Sequence, residues 1–130
     1  MPIEQKTHNL ADKEFVGDVV EIKEGFSKVI LNTNNRMSVD NKGLVHGGFT
    51  FGLADYAAMV CVNHPNVVLG GAEIKFWAPV KVGEKLIAKA FHIKTEGKKN
   101  IVEVEIDSNG RKVFSGTFNC YILDKHVFEN

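Results

Sequence analysis

The sequence predicts an α+β fold in which one long apolar helix lies against a curved antiparallel sheet. Three observations predict this fold: an apolar helical segment over residues 47–64, strand patterns on both sides of it, and turn residues between the strands. The chain has 130 residues, of which 44% are hydrophobic. A chain of this length buries about two-thirds of its unfolded surface as one domain. We therefore expect a single domain over residues 1–130, with residues 1–16 as an N-terminal extension.

The first predicted elements are two strands that precede the helix. They are Val19–Lys23 and Phe26–Thr33, and they flank Glu24-Gly25. A short segment that contains glycine between two apolar strand patterns is typical of a hairpin turn. We therefore expect these two strands to pair antiparallel.

The predicted helix runs from Gly47 to His64 and is ended by Pro65. It is so apolar that we expect it to be buried on most sides rather than on one face. Asp55 is its only acidic residue. Carboxylates are almost never fully buried unless they are paired, and burial raises their pKa, which is one way that enzymes prepare acids and bases. Asp55 is therefore the leading candidate for a functional residue.

Four strands are predicted after the helix. Pro79 and Gly83 separate the first two of these strands, and an Asn109-Gly110 pair predicts a tight hairpin between the last two. The strand before this hairpin alternates Val102, Val104 and Ile106 with acidic residues, which is typical of a sheet with one solvated face. The predicted ranges are Val67–Ala78, Glu84–Lys94, a strand around Val102–Ile106, and Val113–Leu123.

The start of the helix is the second candidate site. Gly47 and Gly48 lack Cβ atoms, and the first N–H groups of a helix have no partner within it, so these two amides can hold a carbonyl oxygen. His46 precedes them, either as a structural hydrogen-bonding residue or as a ligand contact. Nine residues of helix put His46 and Asp55 on opposite sides and about 13 Å apart. A two-fold dimer is the simplest way to bring both groups into one site.

Three segments in this order resemble the hotdog-fold acyl-CoA thioesterase superfamily, in particular its phenylacetate-pathway-type branch. They are His46-Gly47-Gly48 with Asp55 nine residues after the histidine, the segment Ala72–Pro79, and Gly83-Glu84. The resemblance extends from about Gly17 to Leu123. It implies a helix wrapped by a curved sheet, a homodimer or tetramer of dimers, and active sites at the dimer interface.

The same resemblance implies a role in fatty acid metabolism, with a coenzyme A thioester as substrate or ligand and no other cofactor. Asp55 then acts as general base or nucleophile, and the Gly47 and Gly48 amides hold the oxyanion. In the family this histidine, here His46, often shapes the site instead of acting as the base.

Further substrate contacts are expected at a few other positions. Asp40 occupies the place where many family members carry asparagine, and Asn41 follows it. Gly70 and Gly71 stand where members of this branch supply a hydroxyl, Phe49 is a candidate contact for the acyl group, and Lys98 and Lys99 are candidate contacts for the phosphates of coenzyme A.

These departures from the family pattern favour a second function, a non-catalytic acyl-CoA sensor or carrier that acts through a protein partner. Residues Gly70–Tyr121 also resemble the effector-binding hotdog domain of bacterial fatty-acid-synthesis repressors. Asp55 favours hydrolysis, because a sensor of this fold needs no acid in the helix. The missing asparagine and the missing hydroxyl favour binding without hydrolysis. The dehydratase branch of the fold is a third, weaker alternative.

Composition argues against several other classes. The 16 acidic and 16 basic residues cancel, so nothing suggests binding to nucleic acid. No signal peptide or membrane segment is evident, and a cytoplasmic protein is expected. Neither the five histidines nor Cys61 and Cys120 have the spacing of a metal or redox site, and we expect both cysteines to be small buried hydrophobes.

Overall fold

The structure, a computed structural model, describes residues 3–129, in which a six-stranded antiparallel sheet curves around one long helix. The strand order is β1-β2-β4-β5-β6-β3, so β1 and β3 are the two edges. This architecture confirms the predicted α+β fold. The elements are α1 Lys13–Val16, β1 Asp18–Lys23, β2 Phe26–Asn32, a 3₁₀ turn Asn35–Met37, α2 Gly47–Val62, β3 Val67–Phe76, β4 Lys85–Glu96, β5 Lys99–Ser108 and β6 Arg111–Ile122.

The central helix α2 is buried on several faces, as its composition predicted. Leu53, Ala58 and Met59 are all fully buried, although they do not lie on one stripe. The helix ends at Val62, two residues earlier than predicted. Asn63 stops it by adopting the left-handed conformation (φ 54°), and its N–H donates to the carbonyl of Met59 at 2.8 Å. Asparagine tolerates this conformation better than most residues, which makes it a good helix terminator.

The strands after the helix follow the predicted alternation. Val102, Val104 and Ile106 are buried in β5, whereas Glu103 and Glu105 are exposed on the outer face of the sheet. The turn between β5 and β6 has positive φ at both central residues, 51° at Asn109 and 78° at Gly110. Positive φ at both positions is the signature of the type I′ hairpin that an Asn-Gly pair predicts.

Strand β3 leaves one edge of the sheet open. The Trp77 N–H donates to the Val113 carbonyl of the β6 strand at 2.8 Å. Because hydrogen bonds alternate along an antiparallel pair, the N–H groups of Ala72, Ile74 and Phe76 point away from β6, towards the open edge. The side chains of Ile74 and Phe76 are 37% and 49% exposed at this edge. The helix-facing side of β3 is therefore only partly covered within one chain.

Close packing between β3 and β6 yields the first prediction. A Cβ atom added at Gly116 would lie 2.7 Å from Ile74 Cγ2 and 3.1 Å from the Glu73 carbonyl oxygen. We expect Gly116→Ala to lower the free energy of unfolding by about 1–3 kcal/mol, because overpacking forces neighbouring atoms to move. Urea denaturation measures the loss. Gly71→Ala is the control, since its Cβ would meet only Asn119 Nδ2 at 3.9 Å. Equal stability of the two variants would contradict this packing.

Candidate functional site

Asp55 lies in the middle of α2, and one of its carboxylate oxygens is orphaned. Its Oδ1 atom is buried and has no hydrogen-bond partner within residues 3–129. Burial raises the pKa of this carboxyl group, because a charge is less stable away from water. A buried acceptor without a donor costs stability, so its presence in a helix needs a functional reason. Asp55 therefore has the properties of a group that receives a proton.

A cavity of about 420 Å³ opens beside Asp55. Met59 of α2 and Val67 and Leu69 of β3 give it an apolar floor. Thr7 and His8 from the N-terminal part of the chain form another wall. The cavity thus combines an apolar surface with a small number of polar groups, which is typical of ligand sites.

The N-terminal segment, residues 3–12, was predicted only as an extension, and its part in this cavity was missed. Asn63 holds the segment against the end of α2: its Oδ1 accepts the Lys6 N–H at 2.7 Å, and its Nδ2 donates to the Glu4 carbonyl at 2.8 Å. Gln5 Nε2 also donates to the Tyr56 hydroxyl at 3.0 Å. The first two residues of the predicted extension lie outside the described residues.

The start of α2 presents free N–H groups. His46 is the N-cap residue, and its side chain makes no capping hydrogen bond. Its ring is exposed and meets Phe49 edge-on, with 6.2 Å between ring centres. A Cβ at Gly48 would come within 3.1 Å of the His46 ring, and one at Gly47 within 3.3 Å of Phe76. Side chains at these two positions would fill the space next to the helix start. The two glycines leave this space open, beside amides that the His46 side chain does not cap.

The structure does not bring the two candidate elements together within one chain. Eight residues of helix separate Gly47 from Asp55, which is about 12 Å along the axis. The cavity beside Asp55 does not include Gly47, Gly48, His46 or Phe49. Asp55 and the helix start therefore meet only if a second copy of the chain supplies one of them.

Asp40 and Asn41 lie in an exposed turn before α2. One Asp40 carboxylate oxygen accepts the N–H groups of Lys42 at 2.9 Å and Leu44 at 3.2 Å. An aspartate that accepts backbone N–H groups a few residues later is a common turn former. The structure thus gives the Asp40 carboxylate a local role in its own loop.

The remaining predicted contacts are spread around the sheet. The Tyr121 ring occupies the space above Gly70, where a Cβ would lie 2.3 Å from its Cε2 atom. Exposed Lys98 pairs with Asp124 at 3.1 Å, and the partly buried Lys99 pairs with Glu96 at 3.5 Å. Neither lysine lines the cavity of Asp55 in the same chain.

Both cysteines are buried in the core, as predicted. Burial raises the pKa of the Cys61 and Cys120 thiols to about 12, which leaves both uncharged and unreactive near neutral pH. Within residues 3–129 we find no cluster of three metal-ligating side chains, and no helix long and apolar enough to cross a membrane.

A long helix that carries a buried acid and is wrapped by a six-stranded antiparallel sheet defines a hotdog-fold protein. The chain belongs to the thioesterase superfamily, whose family model matches residues 42–115. This match confirms the family predicted from the His46-Gly47-Gly48 segment and Asp55.

Three related proteins show how widely this domain is used. A solved structure of an uncharacterized protein from Pyrococcus horikoshii is 57% identical, with 98% of each chain covered and a TM-score of 0.96. A methylthioribose-1-phosphate isomerase of Aquifex aeolicus is 50% identical over 92% of this chain but only 26% of its own length. Transcription factor FapR of Thermoanaerobacter sp. is 32% identical over 93% of this chain and 61% of its own length. The chain therefore spans less than two thirds of the curated relatives that it matches.

The unpaired carboxylate of Asp55 also predicts how stability depends on pH. Burial raises the pKa of the Asp55 carboxyl group in the folded state above its value in the unfolded chain. The protonated carboxyl group therefore makes its full contribution to stability below the unfolded-state pKa. This contribution is lost as pH rises through the folded-state pKa. We expect Asp55→Asn to be more stable than wild type by about 1 kcal/mol or more at pH 7, with the difference shrinking towards pH 4.

Urea denaturation at equal protein concentration over this pH range measures the difference. Asp18→Asn is the control, since it makes the same chemical change at an exposed position of β1. A stability difference at Asp55 that does not vary with pH would contradict the prediction.

Proposed function

We propose that the chain binds an acyl-CoA thioester between two subunits and hydrolyses it. Asp55 of one subunit acts as general base or nucleophile, and the Gly47 and Gly48 amides of the other hold the carbonyl oxygen. The observation that carries the proposal is the buried Oδ1 atom of Asp55, which has no partner within residues 3–129 and lines a cavity of about 420 Å³. A desolvated carboxylate that nothing neutralises is suited to accept a proton from water.

The open edge of the sheet supports the two-subunit arrangement. Gly47 lies against Phe76 at one end of β3, whereas the cavity of Asp55 includes Val67 and Leu69 at the other end. If β3 pairs antiparallel with the same strand of a second copy, opposite ends of the two strands come together. The start of one α2 helix then faces the Asp55 cavity of the partner. Such pairing also covers the exposed edge of β3, which would otherwise invite aggregation.

The proposed chemistry uses these groups in a simple order. The carbonyl oxygen of the thioester accepts hydrogen bonds from the Gly47 and Gly48 N–H groups, where the positive end of the helix dipole stabilises the negative charge that develops. A water molecule attacks the acyl carbon while the Asp55 carboxylate takes its proton. The carbon–sulfur bond then breaks, coenzyme A leaves as the thiolate, and the acyl group leaves as a carboxylic acid. In the nucleophilic variant, Asp55 itself attacks, and water hydrolyses the resulting anhydride.

A second candidate function is acyl-CoA binding without hydrolysis. The 32% identity to transcription factor FapR over 93% of this chain favours it, because the name of that relative describes a regulator of transcription and not a hydrolase. The sequence resemblance to repressor effector domains points the same way, as does the absence of a hydroxyl at Leu69–Gly71. Asp55 favours hydrolysis, since binding alone gains nothing from a buried, unpaired acid.

Release of free thiol from a panel of short, long and aromatic acyl-CoAs tests the proposal, with binding measured on the same samples. We expect thiol release well above the rate of spontaneous hydrolysis for at least one class. Tight binding without thiol release would support the binding protein instead. Neither binding nor release would contradict both candidate functions.

A further inference from the structure

The cavity of Asp55 has a second polar wall that lies outside the region of family resemblance. That resemblance begins at about Gly17, whereas Thr7 and His8 line the cavity together with Asp55. Two hydrogen bonds to Asn63 and one to Tyr56 hold the segment in place. The segment is therefore a fixed part of the cavity wall.

His8 is held in a defined orientation in this wall. Its Nδ1 atom lies 2.7 Å from the Thr7 hydroxyl oxygen, and Thr7 itself is buried. Partial burial lowers the pKa of His8, so the neutral ring prevails at pH 7. When the Thr7 hydroxyl donates to Nδ1, the neutral ring carries its proton on Nε2. His8 remains an exposed residue, and no hydrogen bond of its Nε2 atom is present within residues 3–129.

The backbone of His8 is left-handed. Its φ angle is +57°, in a region that histidine, asparagine and aspartate adopt more often than most other residues apart from glycine. The His8 ring and the unpartnered acceptor Asp55 Oδ1 thus line the same cavity. A water molecule in this cavity can accept from the ring and donate to Asp55.

Few other titratable groups surround this pair. His126 of the C-terminal part of the chain also lines the cavity; its Nδ1 accepts the Phe128 N–H at 3.1 Å, and its ring lies against Phe128 with 5.6 Å between ring centres. Cys120 of β6 is close enough for the charge of Asp55 to contribute to the raised pKa of its thiol, and that thiol stays neutral. The residues of β3 that line the cavity carry no charge. Of the two histidines that line the cavity, His8 is the one held by a buried hydroxyl, that of Thr7.

We propose that His8 is a catalytic residue of the Asp55 site: its Nε2–H donates to the oxygen of the attacking water while Asp55 accepts the proton of that water. This inference rests on the proposed hydrolysis. The histidine orients the water and keeps its own proton, so the proton released by the attack goes to Asp55 and the reaction balances as before. The N-terminal segment is then a part of the active site that the family motif does not contain.

His8→Asn tests the proposal, because asparagine tolerates the left-handed backbone and can accept from Thr7 but lacks the imidazole Nε2–H. We expect kcat for thiol release to fall about tenfold or more, with KM changed less than about twofold, since water rather than substrate loses its contact. Thr7→Val, which removes the hydrogen bond that orients the ring, should give a smaller loss in kcat. His92→Asn, on β4 and outside this cavity, is the control and should keep wild-type kinetics.

A second readout does not depend on turnover. The His8 ring, followed by NMR, should titrate at lower pH in Asp55→Asn than in wild type, because removing a nearby negative charge destabilises the imidazolium. Wild-type kcat in His8→Asn together with an unmoved His8 titration would overturn the inference while leaving the proposed function standing. A wild-type protein that releases no thiol would overturn the proposed function, and this role of His8 with it.

Discussion

Asp55→Asn is expected to lower thiol release from acyl-CoA by about 10²–10⁴-fold, because the amide cannot take the proton of the attacking water or act as a nucleophile. The chain should remain folded, since the side chain keeps its size and loses a buried charge that has no partner within residues 3–129. Binding of acyl-CoA should persist with a similar dissociation constant. Steady-state kinetics, calorimetric binding and circular dichroism on one preparation measure the three properties.

Glu103→Gln is the matched control, since it removes one negative charge at an exposed position of β5. Its turnover should equal that of wild type. Unchanged turnover in Asp55→Asn would remove this residue from the mechanism. A variant that loses binding and dimer formation together would show that the carboxylate holds the interface instead.

Isotope labelling then distinguishes between the two proposed roles of Asp55, nucleophile and general base. In a single turnover in H₂¹⁸O, a nucleophilic carboxylate forms an anhydride, and water that attacks the Asp55 carbonyl leaves ¹⁸O in the protein. A general base leaves the label only in the acid product. Mass spectrometry of the peptide that contains Asp55 distinguishes the outcomes.

Asp55 could be found from the sequence because its signal is local. One acid within an apolar helix contradicts the pattern around it, and such contradictions tend to occur at functional sites. The Asn109-Gly110 hairpin and the alternation of Val102, Val104 and Ile106 are equally local, and the structure confirms both. Local signals of this kind predict most of the order of helices and strands.

The place of His8 in the cavity wall could not be found in the same way. Residues 3–12 have no apolar period, and their place depends on hydrogen bonds to Asn63 and Tyr56, more than forty residues away in the chain. The end of α2 was missed for a related reason. Pro65 predicts a helix end at His64, whereas the left-handed Asn63 ends the helix and also holds the N-terminal segment. A residue that serves two elements shows only one of its roles in the sequence.

The open edge of β3 offers a position where a substitution can block subunit pairing without disturbing the fold. The N–H of Ala72 points away from β6, so it takes no part in the sheet of its own chain. Proline removes only that N–H and is tolerated at edge positions whose N–H faces outwards. The same substitution at Glu73 would remove an N–H directed at β6 and damage the fold itself. Position 72 therefore tests the interface selectively.

Ala72→Pro is expected to convert the proposed dimer to a folded monomer and to reduce thiol release to the background rate. Without β3 pairing, Asp55 and the Gly47 and Gly48 amides stay about 12 Å apart in each chain, and no complete site forms. Light scattering and thiol release measure the two effects. Ala72→Val is the control, because valine keeps the N–H and favours a strand. A monomeric variant with wild-type turnover would show that one chain holds the whole site, and a dimer unaffected by proline would place the interface elsewhere.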